Sequence, residues 1–471
     1  MSVVAVTLNP LFSQWMQIGV NIDGEVEDFL GWSVSLSSDG SRVAMGAPKS
    51  DKYEKDAGFV RVYDLIGENW IQAGNDIYGE SVKDQLGGSI SLSLDGNRLA
   101  IGATQLSAGY VRVYEWQGEE WIQMGADIMG EADDWLGYAV SLSSDGNRLA
   151  IGAPNHSSGR VPVYEWQDGE WMQMGTDING EAVGDWFGYT VSLSSDGDRL
   201  AIGARLNDGN GNNSGHARVY EWFSGEWIQM GADIDGEEVD DLSSHVSLSS
   251  DGNRLAIGAS ANDGNGNNSG HVRVYEWFGG EWIQMGADID GEEAESSSDR
   301  VSLSSDGNRL AIGGPTNDGN GNNSGHVRIY EWFGGEWIQM GSDIDGEEAS
   351  DWFGWAVSLS SDGDRLAVGA PLSGYWNGYV RVFGKFSTSV KSKARKNEVV
   401  VFPNPSSGIF YIQGNSKSNW VFHVKDIMGN PIVRQNIFSN GQFDLSALPS
   451  GVYILELKGG EQMIVKRILK E

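Results

Sequence analysis

The chain of 471 residues contains 66 glycines and 19 tryptophans but no cysteine, which excludes disulfides and thiol chemistry. Its net charge is −34, and residues 1–383 carry 20 basic against 60 acidic side chains, whereas residues 384–471 carry 12 against 6. We expect no nucleic acid partner, because such an acidic surface repels it, and no spanning helix, because no apolar run reaches ~20 residues.

The N-terminal stretch MSVVAVTLNPLFSQW differs from a secretory signal. It has no basic start, and Asn9 and Pro10 interrupt its short apolar part. Signal peptides combine a basic start with an uninterrupted apolar segment. We therefore predict no recognisable export signal in this stretch.

A segment similar to SLSSDGNRLAIGA recurs seven times, at spacings of 50 to 56 residues. Each copy runs through a DIxGE loop, a VSLS strand, an SDGN turn, an RLAIGA strand, a variable loop, a VRVYEW strand and a GEWIQMG strand. Alternating side chains and Asp-Gly turns are typical of an antiparallel meander. Seven four-stranded units of this length predict an all-β propeller. The aspartates of the copies are Asp39, Asp95, Asp145, Asp196, Asp251, Asp306 and Asp362.

The two ends of the repeat region complement each other. The first WxQxG strand, at 15–19, precedes any VRVY strand, and the last VRVF strand, at 380–383, is followed by no WxQxG strand. We therefore predict that the N-terminal strand completes the last blade, which closes a seven-bladed ring without an exposed sheet edge.

Residues 187–204, FGYTVSLSSDGDRLAIGA, and the copy that begins at Phe353 resemble FG-GAP repeats, which form integrin α-subunit heads and occur in many bacterial surface proteins. The resemblance covers about residues 13–383. The Phe-Gly pair becomes Leu-Gly at 30–31 and 136–137, and the pattern places its loss at 242–243 and 297–298. The calcium loop of many such repeats is only SSDGN here, so any calcium site is expected in another loop.

The C-terminal part has a different pattern, with PNPSSG at 403–408, a D-x-x-G turn at 426–429 and DLSALPSGVY at 444–453. Its turns predict a small β-sandwich of six or seven strands. The order of motifs resembles the C-terminal sorting domain of the type IX secretion system of Bacteroidota. That resemblance implies a tag that is read at the outer membrane and is usually removed. The motif residues are Pro403, Asn404, Pro405, Gly408, Asp426, Gly429, Gly451, Tyr453 and Lys466.

We therefore expect three segments. These are a propeller at 13–384, a basic linker rich in serine and lysine at 385–397, and a sorting domain at 398–471. The resemblances imply a monomer that the type IX machinery secretes or places on the outer cell surface.

Strand parity places the DIxGE loops and the variable loops on one face of the ring. This face is predicted to bind a ligand through carboxylates or through exposed tryptophans, although acidic loops also serve as a solvated rim. The predicted ligand-face residues are Asp235, Glu237, Asp290, Glu292, Asp345, Glu347, Trp135, Trp186, Trp352, Trp355 and Trp376.

Three variable loops, at 207–216, 262–271 and 317–326, share the sequence NDGNGNNSGH. Alternating oxygens resemble the first half of a calcium loop, but Asn213 stands where such loops have glycine and no glutamate follows at the twelfth position. A polar turn explains the composition equally well. The predicted calcium ligands are Asp208, Asn210, Asn212, Asp263, Asn265, Asn267, Asp318, Asn320 and Asn322.

Two other repeated residue types have ordinary explanations. His216, His271 and His326 end these loops, and equivalent positions of neighbouring blades are expected to lie too far apart to share a metal. Tryptophans at the ends of the VRVYEW strands are expected to pack between blades rather than to stack on sugars. These tryptophans are Trp116, Trp166, Trp222, Trp277 and Trp332.

The pattern contains no HExxH, Walker loop or catalytic triad, so we assign no catalytic residue and no cofactor other than calcium. The first hypothesis is an exported adhesion or recognition propeller that binds protein or glycan through its acidic loop face. A glycan-active hydrolase would instead show a central pocket with two carboxylates about 5 to 10 Å apart. A structural surface protein without a ligand is the third hypothesis.

Overall fold

The computed structural model describes most of the chain, which divides into two compact units at residue 388. Within the described segments, no helix combines the length and the apolar character needed to cross a membrane. Those segments are residues 13–104, 108–387, 399–402, 409–414, 420–425, 431–437, 440–449, 451–459 and 462–470.

The first unit opens with two strands that belong to its last blade, β1 (Ser13–Gln17) and β2 (Ile22–Asp23). Blade one contains β3 (Ser33–Leu36), β4 (Arg42–Ala47), β5 (Phe59–Ile66), β6 (Asn69–Gln72) and β7 (Ile77–Tyr78). Blade two contains β8 (Leu86–Leu92), β9 (Arg98–Ala103), β10 (Tyr110–Gln117), β11 (Glu120–Gln123) and β12 (Ile128–Met129).

Blade three contains β13 (Ala139–Leu142), β14 (Arg148–Gly152), β15 (Arg160–Val161), β16 (Val163–Gln167), β17 (Glu170–Gln173) and β18 (Ile178–Asn179). Its third strand is divided at Pro162, which has no N–H to donate to the ladder. Blade four contains β19 (Phe187–Leu193), β20 (Arg199–Ala204), β21 (His216–Phe223), β22 (Glu226–Gln229) and β23 (Ile234–Asp235).

Blade five contains β24 (Ser243–Leu248), β25 (Arg254–Ala259), β26 (His271–Phe278), β27 (Glu281–Gln284) and β28 (Ile289–Asp290). Blade six contains β29 (Arg300–Leu303), β30 (Arg309–Gly314), β31 (His326–Phe333), β32 (Glu336–Gln339) and β33 (Ile344–Asp345). Blade seven contains β34 (Ala356–Leu359), β35 (Arg365–Ala370), the short helical turn α1 (Ser373–Trp376) and β36 (Tyr379–Ser387).

Each blade is an antiparallel meander whose outer edge is interrupted. In blade one, for example, β6 and β7 both pair with β5, at opposite ends of it. The DIxGE segment thus begins as a two-residue strand rather than as a loop. The seven-bladed, nearly all-β fold predicted from the repeats is confirmed.

The N-terminal strand closes the ring as predicted. β1 pairs antiparallel with β36, with Gln17 opposite Phe383. The Ile18 N–H continues this ladder and donates to the Val382 carbonyl at 2.8 Å. The order β1-β36-β35-β34 therefore gives blade seven its outer strand and leaves no free edge on β36.

Two rings of hydrogen bonds run around the axis. In the first, the leucine N–H of each VSLS strand donates to a serine hydroxyl of the preceding blade at 2.9 to 3.0 Å, and Leu36 completes the ring on Ser358. In the second, backbone groups of the SDGN turns join at 2.8 to 2.9 Å, and Ser361 completes it on Ser38. Closure therefore rests on repeated polar contacts as well as on β1.

The apolar core lies between neighbouring blades. One cluster joins Val43 and Phe59 of blade one to Val380 and Val382 of blade seven. The tryptophans of the VRVYEW strands pair across strands with those of the outer strands, and Trp116 lies 5.2 Å from Trp121 between ring centroids. These tryptophans pack between blades, as expected.

The second unit contains two antiparallel sheets, which agrees with the predicted small sandwich. Tyr453 is buried and its hydroxyl donates to the Pro449 carbonyl at 2.7 Å, while Gly451 pairs with Lys470 and Lys466 pairs with Leu455. The other sorting-motif residues lie outside the described residues. The strands are β37 (Val399–Phe402), β38 (Ile409–Gly414), β39 (Trp420–Lys425), β40 (Pro431–Ile437), β41 (Asn440–Asp444), β42 (Gly451–Gly459) and β43 (Gln462–Lys470).

Candidate functional site

A cavity of about 600 Å³ lies on the propeller axis, at the end where the inner strands begin. Because the variable loops and the DIxGE segments share this end, the cavity opens on the predicted ligand face. Aromatic side chains form much of its wall, and its described lining includes the cations Lys49 and Arg300 together with His245. The aromatic residues in the lining are Trp32, Tyr138, Tyr189 and Trp355.

The aromatic residues form two walls. In the first wall, Trp135 stacks on Tyr138 at 6.3 Å and Trp186 stacks on Tyr189 at 6.2 Å, and the two tyrosines lie 5.2 Å apart. In the second wall, Trp355 lies 4.9 Å from Trp32 and 5.3 Å from Trp352. The two walls belong to blades three and four and to blades seven and one.

The predicted ligand-face tryptophans differ in exposure. Trp135, Trp186, Trp352 and Trp355 are half-buried rather than exposed, because each ring stacks on another ring at the cavity mouth. Trp376 is 53% exposed and stacks on Phe29 instead, away from the cavity lining. The structure thus brings four of the five predicted tryptophans together.

Three of the tryptophans at the cavity mouth have a strained backbone conformation. Trp135, Trp186 and Trp352 have φ angles of 57°, 56° and 55°, in the left-handed region that bulky residues rarely adopt. Every blade has a left-handed residue at this place, immediately before the first residue of the Phe-Gly pair or its equivalent, but blades two, five and six have Gln85, Leu242 and Ser297 there. Strain of this kind persists where the surrounding structure supports it, often at functional sites.

A polar cluster occupies the gap between the two walls. His245 Nδ1 lies 2.8 Å from Asp299 Oδ2, and Arg300 contacts the other ring nitrogen of His245. The Arg300 guanidinium also lies 4.4 Å above the Trp355 ring. Asp299 is 2% exposed, so it sits behind the cavity surface and balances the cation that faces the cavity.

The charges of this cluster follow from its burial. Burial and the nearby Arg300 lower the pKa of His245 to about 4, so its ring is neutral at physiological pH. Burial acts to raise the pKa of Asp299, but contact with His245 and Arg300 lowers it to about 2. Arg300 is therefore the charged group that the cluster presents to a ligand.

The polar cluster of His245, Asp299 and Arg300 lies where the alignment of the sequence repeat shifts by one residue. In blade five, Ser243 forms the backbone bridge that Phe353 forms in blade seven. In blade six, the Asp299 carbonyl lies against the preceding blade, where blades with a Phe-Gly pair place the carbonyl of its glycine. The predicted loss of the pair at 242–243 and 297–298 is therefore one residue out of register. The signal that sequence reasoning missed is this shift.

Blades five and six also have one residue fewer before the inner-strand valine. His245 and Arg300 consequently lie opposite the glycine of the second strand, where blade four has Thr190. Each long side chain replaces a small one at the cavity wall. The deletion thus breaks the sevenfold symmetry that the remaining copies keep.

We expect the pKa of His245 to give the propeller a pH-dependent stability. Because the unfolded pKa of histidine is about 6.5 and the folded value is about 4, the contribution is complete above pH 6.5 and is lost as pH falls toward 4. Burial also lowers the pKa values of His216, His271 and His326. His245→Gln should reduce the slope of unfolding free energy between pH 4.5 and 6 by about 1.4 kcal/mol per pH unit. Urea unfolding at several pH values tests this, and an unchanged slope would mean that His245 is protonated in the folded state.

The loops with the NDGNGNNSGH sequence form hydrogen bonds with the DIxGE segments. Asn210 donates from its side-chain amide to the Gly236 and Glu237 carbonyls, both at 2.9 Å, which confirms that the two loop classes share a face. Asp208 Oδ1 accepts from the Asn213 N–H at 2.8 Å, and the Asn212 amide points to a carboxylate. Calcium at these loops and at their copies stays a prediction.

The six acidic ligand-face residues lie on the rim, and none of them is in the described lining of the axial cavity. Burial and Asp233 raise the pKa of Asp235. Glu237 and Glu292 each approach a histidine of the following blade, whereas Glu347 pairs with Arg381 at 3.2 Å.

Three histidine-carboxylate groups on this rim were not expected from the sequence. In each group the ligand atoms of one histidine, one glutamate and one aspartate lie within 4.8 Å of one another. In each group the glutamate comes from the DIxGE segment of the preceding blade and the aspartate from the DIxGE segment of the same blade as the histidine. The groups are Glu181, His216 and Asp233, then Glu237, His271 and Asp288, and then Glu292, His326 and Asp343.

Two family models match parts of the chain. Residues 179–220 match the FG-GAP repeat, and residues 400–471 match the secretion system C-terminal sorting domain. A comparison with curated proteins finds no match. Both resemblances read from the motifs are thus confirmed.

Solved structures resemble the chain in fold alone. Hydrazine synthase from Kuenenia stuttgartiensis is 14% identical with a TM-score of 0.52, over 79% of this chain and 99% of that one. A candidate 6-phosphogluconolactonase from Bacteroides uniformis is 12% identical with a TM-score of 0.49, over 67% and 86%. The structure of U3-55K is 12% identical with a TM-score of 0.48, over 79% and 98%.

Proposed function

We propose that this chain, which carries an FG-GAP repeat and a secretion system C-terminal sorting domain, is an exported recognition propeller that binds a glycan in its axial cavity. The observation that carries the proposal is the pair of aromatic walls on either side of a single cationic cluster. The sorting domain indicates secretion by the type IX system and so a partner in that machinery. An extracellular protein or glycan is then the available ligand.

The cavity suits sugar rings for physical reasons. Aromatic faces pack on the apolar faces of sugars, and a few fixed polar groups orient the ligand. A volume of about 600 Å³ lies within the usual range for small-ligand sites. Because Lys49 and Arg300 are the charged groups in the described lining, a sugar that carries a carboxylate or sulfate is favoured over a neutral one.

A hydrolase is less well supported by this cavity. Two carboxylates about 5 to 10 Å apart would flank a scissile glycosidic bond. The described residues that line the cavity include no aspartate or glutamate, and Asp299 is buried behind them in contact with His245. Recognition without cleavage therefore fits the described lining better.

Glycan binding is tested with the full chain and two variants of the aromatic walls. We expect Trp355→Ala to weaken binding to the best acidic oligosaccharide of a glycan array at least tenfold, because it removes a stacking face beside Arg300. Tyr189→Ala, on the opposite wall, should weaken it similarly. Titration calorimetry gives the affinities, and runs with EDTA and with calcium test whether the predicted calcium loops contribute.

Trp376→Ala is the control, because Trp376 lies outside the cavity lining. Its binding should equal that of the unchanged chain. If both cavity variants bind normally while Trp376→Ala loses binding, the axial cavity is not the site. If no glycan binds, the proposed function is wrong.

A further inference from the structure

Blades five and six each hold a histidine between two carboxylates on the rim. His326 Nδ1 lies 3.7 Å from Glu292 Oε2 and 3.8 Å from Asp343 Oδ2. His271 Nδ1 lies 3.9 Å from an oxygen of Glu237. These separations are too long for hydrogen bonds but close to the distance between two ligands of one metal, since bonds of about 2.1 Å place tetrahedral ligands ~3.4 Å apart.

The two histidine rings are buried, and three of their four ring nitrogens have no hydrogen-bond partner among the described residues. His326 is fully buried, and neither of its ring nitrogens has a partner among the described residues. His271 is 1% exposed, and its Nε2 is also unpartnered. Buried polar groups are almost always satisfied, so these nitrogens are available to a ligand. His216 of blade four is unpartnered in the same way, so the neighbouring arginine is what distinguishes the blades.

Blades one and two fill the same place with an arginine-aspartate pair. In blades one and two the histidine position is aromatic, and the arginine two residues later binds the aspartate through two hydrogen bonds. Arg61 contacts Asp76 at 2.6 Å, and Arg112 contacts Asp127 at 2.9 Å. In these blades the guanidinium is the cation that neutralises the carboxylate.

Blade four combines the two arrangements. It has His216, but Arg218 still binds Asp233 at 2.7 and 2.6 Å and contacts Glu181. The arginine therefore already provides the positive charge between the carboxylates. This blade serves as an internal control for the other two.

In blades five and six the equivalent arginine donates to a backbone carbonyl and does not contact the aspartate of the cluster. Arg273 donates to the Asp235 carbonyl at 2.7 Å, and Arg328 donates to the Asp290 carbonyl at 2.8 Å. Within the described residues, no lysine or arginine lies within salt-bridge distance of Asp288 or Asp343. Arg273 remains 3.6 Å from Glu237. In both clusters the aspartate therefore lacks the arginine that binds its counterpart in blades one, two and four.

We propose that blades five and six each bind one divalent transition-metal ion of the zinc class. The ligands are His271, Glu237 and Asp288 in blade five, and His326, Glu292 and Asp343 in blade six. An imidazole nitrogen favours zinc over calcium and magnesium, which prefer oxygen ligands alone. Three protein ligands leave a coordination position for water or for a group of a bound partner.

The test is zinc titration of the untagged full chain by calorimetry at pH 7. We expect two equivalents of zinc for the unchanged chain, one for His271→Tyr and none for His271→Tyr combined with His326→Tyr. Tyrosine is a suitable replacement because Tyr110 and Tyr379 occupy this position in blades two and seven. A thermal melt of each variant confirms that it folds.

His216→Tyr is the matched control, and we expect it to keep two equivalents because Arg218 closes its cluster. Calcium and magnesium in place of zinc should give at least tenfold weaker binding. No zinc binding by the unchanged chain, or full binding by the double variant, would overturn the proposal. A loss of one equivalent in His216→Tyr would overturn the role given to the arginine. None of these results depends on whether a glycan binds.

Discussion

A chain that begins at residue 20 is expected to melt far below the full chain. This truncation removes β1, whose five residues pair with β36, and takes Trp15 from the core between blades six and seven. It also exposes the edge of β36. Trp15 is half-buried, so its loss costs less than the ~3 to 5 kcal/mol of a fully buried tryptophan. Together with the lost strand pairing, it should lower the midpoint on the order of 10 °C.

Two matched chains separate ring closure from simple shortening. A chain that begins at residue 13 keeps every described contact and should melt like the full chain. A permuted chain, in which residues 13–24 follow residue 387 and the first residue is 25, should recover most of the loss. Tryptophan fluorescence reports the propeller, because 18 of the 19 tryptophans precede residue 388. Equal midpoints for the chains that begin at residues 13 and 20 would refute closure by β1.

Asp299→Ala is expected to be the most damaging single substitution at the cavity. Asp299 is 2% exposed and lies 2.8 Å from His245 and 3.7 Å from Arg300. Its removal leaves the guanidinium of Arg300, whose side chain is 19% exposed at the cavity wall, without its anion, which costs about 3 kcal/mol. Urea unfolding followed by tryptophan fluorescence measures this loss.

The control for this substitution is a more exposed ion pair of the same kind. Asp64 contacts Arg42 at 2.6 Å, but the Asp64 side chain is 33% exposed, and Arg42 also donates to the Gly96 carbonyl at 2.9 Å. Asp64→Ala should therefore cost no more than about 1 kcal/mol. If Asp299→Ala costs as little as Asp64→Ala, then water solvates Arg300 and the cluster does not depend on Asp299.

The fold could be predicted because repetition supplies the same information seven times. Alternating strands, Asp-Gly turns and the unmatched strands at both ends of the repeat region indicate the blades and their closure without any knowledge of packing. The interrupted outer edge was missed, since the two-residue strands are too short to show a period. A residue that departs from the repeat occurs in one copy only, so the other copies give no information about its role.

The site could be predicted only in part for the same reason. Trp135, Trp186, Trp352 and Trp355 were identified as ligand-face residues, but their stacking depends on the ring bringing separate blades together. The cluster of His245 depends on a one-residue deletion that shifts the register of two blades. The histidine-carboxylate groups join residues more than 30 positions apart, as in Glu237 and His271, so local sequence could not reveal them.

The central claim is that the axial cavity holds a glycan, and a crystal structure of the full chain with its best acidic oligosaccharide tests this most directly. We predict a sugar ring stacked on Trp355 or Tyr189, with its carboxylate or sulfate beside Arg300 and Lys49. An oligosaccharide bound only on the outer rim, with solvent in the cavity, would contradict the claim.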